Sequence, residues 1–184
     1  MFQPGRLRPG PTSRLVARCV PEPLIVHTEG MGTDSRSSAS SRILFICTGN
    51  YYRSRFAEIL FNSLAEEAEP RWTAFSRGTA ADQSLGNIGP ISSHTVMGLE
   101  ERGIAIDGTA RFPEQLEELD LESADHIVAL NEWEHREPLE RLYPRWSGKV
   151  EYWQVDDLGF AAPVEALAKI EAEVRRLIEL LSRR

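Results

Sequence analysis

The sequence predicts an α/β fold: a single domain with a four-stranded parallel sheet, doubly wound in the order 2-1-3-4 and flanked by helices. Three observations predict it. Short runs that are aliphatic throughout, such as "RILFIC" (42–47), read as strands buried on both faces. Between them lie amphipathic stretches at helical spacing. Strands and helices alternate through the body of the chain, as in βαβ units.

Taken in order, "RILFIC" is the first strand. "SRFAEILFNSLAEEAE" follows as a helix with Phe56, Leu60 and Leu64 on its apolar face and Glu66 and Glu67 on its wet side. After Pro70, "RWTAFSRGT" gives a second strand and then a Gly/Pro loop. "SSHTVMGLEERG" reads as a helix with Ser92 or Ser93 as its N-cap and Gly103 at its end. "ADHIVAL" (124–130) is the third strand, "NEWEHREPLERLYP" a helix interrupted near Pro138, and "KVEYWQV" (149–155) the fourth strand. The closing helix sets Leu167, Ile170, Val174, Leu177 and Leu181 along one stripe. His94, His126 and His135 are expected at the surface, and Trp72, Trp133, Trp146 and Trp153 in the core or at its rim.

With 184 residues and 41% hydrophobic content, the chain supports one sizeable core. Residues 1–40 stand apart. Their arginines and prolines lead into the Gly/Ser tract "GMGTDSRSSASS", a composition that cannot bury a core. We expect a disordered N-terminal extension over 1–40, or a translation start at Met31, and a folded domain over 41–184. That domain carries 16 Lys+Arg against 25 Asp+Glu, about −9. An acidic body argues against nucleic acid as a partner. No apolar run approaches the roughly 20 residues a membrane span needs, so a cytoplasmic protein without membrane partners is expected. Two cysteines, Cys19 and Cys47, provide neither a disulfide framework nor a metal-ligand cluster.

Doubly wound sheets bind ligands beyond the carboxyl ends of their strands. Cys47 and the pair Asp156 and Asp157 both fall just past such ends. After Cys47, the stretch Thr48, Gly49, Asn50, Tyr51, Tyr52 and Arg53 must turn tightly into a helix starting near Ser54. Its backbone N–H groups can then cup an oxyanion. Gly49 and Asn50 are the residues best suited to positive φ there. A thiol under inward amides and a helix N-terminus is favoured as thiolate. Arg53, returning to the rim, can fork two hydrogen bonds onto phosphate oxygens, and Ser54 can donate to the sulfur.

"CTGNYYRS" resembles the phosphate-binding signature of the low-molecular-weight protein tyrosine phosphatases: a cysteine, five residues and Arg-Ser, with Gly-Asn in the family's positions. "SRGTA", "RGIAIDGTAR" and "ADHIVALNEWEH" resemble further family segments, so the likeness spans roughly 42–184. The resemblance implies a phosphomonoesterase acting on phosphotyrosine proteins or small aryl phosphates, with no cofactor or metal. It implies Cys47 as nucleophile, Arg53 and the loop as the oxyanion site, and a general acid on the loop "WQVDDLGF". There Asp157 takes the family's position and Asp156 is the alternative. The chain departs from the family pattern at Tyr52, where a second cysteine is frequent, and at Arg55, where proline is frequent. It departs again at Leu158 and Gly159, which replace proline and an aromatic residue. Tyr51, Tyr52 and Phe160 are the candidate aromatic walls. Two other uses of such a loop are arsenate reduction coupled to an external small thiol and phosphate binding without turnover. No cysteine follows Cys47 to relay a disulfide.

Overall fold

The computed structural model describes residues 40–69, 71–81, 86–106 and 111–183. The expected N-terminal extension and the Gly-rich turn at 107–110 lie outside these residues. Four parallel strands form one sheet in the order β2-β1-β3-β4: β1 (Ser41–Cys47), β2 (Trp72–Gly78), β3 (His126–Ala129) and β4 (Val150–Tyr152). The expected order is therefore the observed one. β1 pairs with β2 on one side (Cys47 opposite Gly78) and with β3 on the other (Ile46 opposite Ala129).

The central position of β1 explains its composition. Ile43, Phe45 and Cys47 point into a cluster formed with α1 (Arg53–Ala68) and α5 (Pro163–Leu181), which also includes Phe56, Leu60, Ile170 and Val174. Leu44 and Ile46 point the opposite way, onto Leu116, Leu121 and Leu139. These last come from the segment after residue 111, from α3 (Glu118–Glu122) and from α4 (Glu132–Leu142). A strand with both faces covered gains nothing from a polar residue, so its apolar run is unbroken until Cys47. All five stripe residues of α5 are buried as expected.

The caps of the second helix agree with expectation, while the course of α4, the length of β4 and the presence of α3 differ from it. α2 (Ser93–Glu100) is capped by Ser92, whose Oγ accepts from His94 N, and Gly103 follows at φ 72°. α4 continues through Pro138 without interruption. His135 and Leu139, both fully buried, hold the helix on either side of the proline, and this packing outweighs one lost backbone bond. β4 keeps only three residues, and beyond it Gln154 forms an isolated antiparallel bridge with Asn131. α3 has no counterpart in the sequence reading; five residues are too few to show a period. Among the described residues, no helix is long and apolar enough to cross a membrane.

Gly78 links the sheet to the loop after β1. A Cβ built there would lie 2.7 Å from Thr48 O and 2.9 Å from Asn50 N, both backbone atoms. Neither can move without reshaping the loop. Gly78→Ala is therefore expected to destabilise the fold by about 1–3 kcal/mol, the usual range for overpacking. Denaturant unfolding tests this, and an unchanged midpoint would mean that the contact relaxes without cost.

Candidate active site

β1 delivers Cys47 to the carboxyl edge of the sheet, and α1 begins six residues later at Arg53. The intervening turn is held from both sides. Thr79 N donates to Cys47 O and Ala80 N to Thr48 O, while Ser92 N donates to Tyr51 O. No side chain caps α1, so the amides of its first turn remain available to an anion. Of the two residues suited to positive φ, only Asn50 adopts it, at 47°.

Asn50 is fully buried, and its amide uses every donor and acceptor it has. Nδ2 donates to Ser54 Oγ (3.1 Å) and Ser76 Oγ (2.8 Å). Oδ1 accepts from Arg111 Nη1 (2.8 Å) and Glu114 N (3.0 Å). Ser54, having accepted from Asn50, keeps its own proton for Cys47 Sγ at 3.0 Å.

Arg53 is 1% exposed and so lies in the floor of the site, not at its rim as expected. Its Nη1 donates to Glu134 Oε1 (2.8 Å) and Val155 O (2.9 Å), and its Nη2 to Glu134 Oε2 (2.7 Å). Asp157 Oδ2 makes an ionic contact with the same Nη2 at 2.8 Å. Burial works against the Arg53 charge, but its bonds to Glu134 together with the neighbouring Cys47 and Asp157 charges outweigh it and hold the guanidinium above its ordinary value. Burial likewise opposes ionisation of Glu134, and Arg53 more than offsets it, leaving the carboxyl below its ordinary range.

Cys47, Thr48, Gly49, Tyr51, Tyr52, Arg53 and Asp157 line one cavity of about 290 Å³, with Asn87 and Leu158 completing its wall. Tyr51 reaches across its mouth, its hydroxyl donating to Ile88 O at 2.6 Å. Tyr52 lines the wall but belongs to the core. Burial, with the charge of Asp157 behind it, pushes its phenol up to about 12, and the hydroxyl donates to Pro163 O. Phe160 stands 86% exposed and contributes no wall. Asp156 takes a hydrogen bond from Asn131 Nδ2 at 3.1 Å and is not among the cavity's lining residues.

The family described as "Low molecular weight phosphotyrosine protein phosphatase" has a sequence model that matches residues 42–184. The chain belongs to this family. The low-molecular-weight protein tyrosine phosphatase of T. tengcongensis is 30% identical and superposes with a TM-score of 0.65 over 76% of this chain and 99% of its own. The YwlE arginine phosphatase of Geobacillus stearothermophilus is 26% identical, with a TM-score of 0.64 over 78% and 94% of the two chains. The protein-arginine-phosphatase of Bacillus subtilis (strain 168) is 33% identical over 109 residues, 59% of this chain and 67% of that one. A cysteine-dependent phosphatase is what the family, the sheet order and the loop jointly describe.

As a low-molecular-weight phosphatase domain, the structure adds residues that sequence reasoning missed. Glu134 and His135 sit in the first turn of α4, whose N-cap Asn131 accepts from Glu134 N at 3.2 Å. Asn131 with a glutamate three residues on is a helix-start signal, and at the carboxyl end of β3 it pointed to this edge. Ser76 and Glu58 had no local signal, whereas Arg111 ends the family-like segment "RGIAIDGTAR"; Ser76 and Arg111 bond Asn50, and Glu58 joins through these two. His135 was expected at the surface and is fully buried, because α4 turns the His135 and Leu139 side onto the sheet. Trp133, two residues earlier, consequently faces away and is 91% exposed, against the expectation of core or rim.

His135 Nδ1 lies 2.6 Å from Asn131 O and Nε2 lies 3.3 Å from Thr48 Oγ1. Burial, with the Arg53 charge adding to it, lowers the imidazole from 6.5 to about 4. The unfolded chain therefore takes up a proton that the folded chain refuses. The resulting stability is complete above pH 6.5 and is lost as pH falls toward 4, by about 3 kcal/mol at most. His135→Gln should flatten this slope in unfolding measured between pH 7 and pH 4. An unchanged slope would assign it to other groups.

Proposed function

We propose that this chain hydrolyses phosphotyrosine in proteins, and small aryl phosphates, through a cysteinyl-phosphate intermediate. One observation carries the reading. A cysteine sulfur, a buried guanidinium and a carboxylate more than a hundred residues away converge on one small cavity. Cys47 Sγ attacks phosphorus and the bond to the aryl oxygen breaks, while Asp157 hands that oxygen a proton. The loop amides from Thr48 to Tyr52 and the Arg53 guanidinium hold the equatorial oxygens. Asp157 then takes a proton from the water that cleaves the sulfur–phosphorus bond, releasing phosphate and the sulfur, which accepts the Ser54 hydroxyl proton in a hydrogen bond.

Asp157 is favoured over Asp156 as the acid because it alone lines the cavity and touches Arg53. Tyr51 and Leu158 supply an aromatic and an aliphatic wall, which supports a ring-bearing phosphate ester. A nucleophilic thiol must stay reduced, which supports a cytoplasmic location. A second reading, phosphoarginine in proteins, is favoured by the name of the Bacillus subtilis relative. Parallel assays on phosphotyrosine and phosphoarginine peptides separate the two. Faster release from the arginine series would overturn the first reading in favour of the second.

Cys47→Ser should abolish turnover of para-nitrophenyl phosphate while inorganic phosphate still binds, as calorimetry would record. Retained turnover would end the cysteinyl mechanism. Asp157→Asn should slow esters of poor leaving groups by the ~10²–10⁴-fold typical of general acid catalysis. The loss should shrink for leaving groups acidic enough to depart unprotonated, and Asp156→Asn should affect neither class. A steeper leaving-group dependence in Asp156→Asn would move the role one residue back.

A further inference from the structure

Resting on the phosphatase reading above, we propose that Glu134 is a positioning residue: it fixes the Arg53 guanidinium so that one donor edge faces the phosphate, which then displaces Asp157 from Arg53. A guanidinium has five N–H groups in a rigid plane. Glu134 takes one from each Nη with directional hydrogen bonds of 2.8 and 2.7 Å, and Val155 O takes the second on Nη1. What remains is Nε–H and the outer Nη2–H, the two parallel donors of a single edge, which is the pair a phosphate accepts in a bidentate contact.

The two carboxylates hold Arg53 in different ways. Glu134 lies along the N–H directions and is itself anchored at its backbone by Asn131. Asp157 reaches the same Nη2 at 2.8 Å, but only as an ionic contact out of line with those bonds, from a side chain 39% exposed on a short loop. Glu134 can therefore remain while Asp157 gives way. An oxyanion arriving on the free edge competes with the Asp157 charge for Nη2, and the carboxylate it pushes off is left beside the leaving-group oxygen. Phosphate capture and delivery of the acid then become one movement.

The two roles predict opposite signs. Simple electrostatics would have any carboxylate removed from the site tighten anion binding. Asp157→Asn should do so, lowering the inhibition constant of inorganic phosphate in para-nitrophenyl phosphate hydrolysis. Glu134→Gln should do the reverse and weaken phosphate about tenfold, the cost of one misaligned charge-assisted hydrogen bond. It should also lower kcat/KM by the same factor across aryl phosphates of different leaving groups, unlike Asp157→Asn.

Calorimetric titration with phosphate in a Cys47→Ser background reads the same sign without turnover. The test therefore stands even if para-nitrophenyl phosphate is not hydrolysed, which would instead sink the phosphatase reading. Should Glu134→Gln fail to fold, Glu134→Asp serves, with weakened phosphate binding again expected. Phosphate binding unchanged or tighter in the folded Glu134 variant overturns the proposal and leaves Glu134 as a counter-charge only.

Discussion

Everything at the carboxyl edge depends on the left-handed backbone at Asn50 and on the four hydrogen bonds that hold it there. A non-glycine residue at φ 47° is disfavoured, and asparagine tolerates it best among residues that also carry a side chain to bond with. That side chain is saturated by Ser54, Ser76, Arg111 and Glu114, which come from α1, from β2 and from the segment after residue 110. Three distant pieces of chain thus meet on one amide. Turning the peptide at Asn50 out of this conformation would break all of its bonds in a site closed to water, where unpaired polar groups are costly. The loop is therefore preorganised before any phosphate arrives. The same amide directs the proton of Ser54 toward Cys47 by occupying the acceptor side of the hydroxyl.

The fold supplies the rigidity that this arrangement needs. β1 is buried on both faces and bonded on both edges, so Cys47 sits at the end of a strand held from every side. Gly78, opposite it, is the residue that lets the loop fold back so closely onto β2 that a Cβ there would lie within 3 Å of loop backbone atoms. Arg53 is equally fixed, because both ends of its story are structural: its backbone opens α1, and its head is bound by α4 and by the carbonyl of Val155 beyond β4. A flexible arginine would pay rotamer entropy each time it captured an anion; this one has paid it in folding.

What could be read from the sequence follows from how local each feature is. The strand, loop and helix from Ser41 to Ala68 lie in consecutive residues, and their chemistry was legible in eight of them. Alternation announced a doubly wound parallel sheet, and the structure bears out its expected order, 2-1-3-4. The preference for Asp157 came from family position, and the geometry that sets it beside Arg53 supports it. The helix-start signal placed Glu134 at this edge, but its pairing with Arg53 was invisible because the two lie 81 residues apart, and only the docking of α4 on the sheet brings them together. His135 and Trp133 were misread for a related reason. α4 is mostly polar, so its buried side rests on just two residues, His135 and Leu139, too few for a period to announce which face turns inward.

The charge of the domain poses the last question, since a body of about −9 holds an anion site. Distance resolves it. Exposed charges are screened beyond about 8–10 Å at physiological ionic strength, whereas the groups around the loop act at contact range and partly out of water. Behind the loop lie three arginines: Arg53, Arg111 and Arg55, whose Nε is buried without a hydrogen-bond partner, 3.8 Å from Glu58. Glu58 and Glu134 neutralise part of this positive charge, so the folded domain does not carry three bare cations in its interior. Asp157 differs from both because it is the one acid of the group that faces the cavity from a partly exposed loop. A phosphate that replaces it on Arg53 exchanges one anion for another, and the local balance changes far less than the net charge of the ligand suggests. An acidic surface is therefore compatible with an oxyanion site where, as proposed, the anion displaces a carboxylate from one nitrogen of the guanidinium.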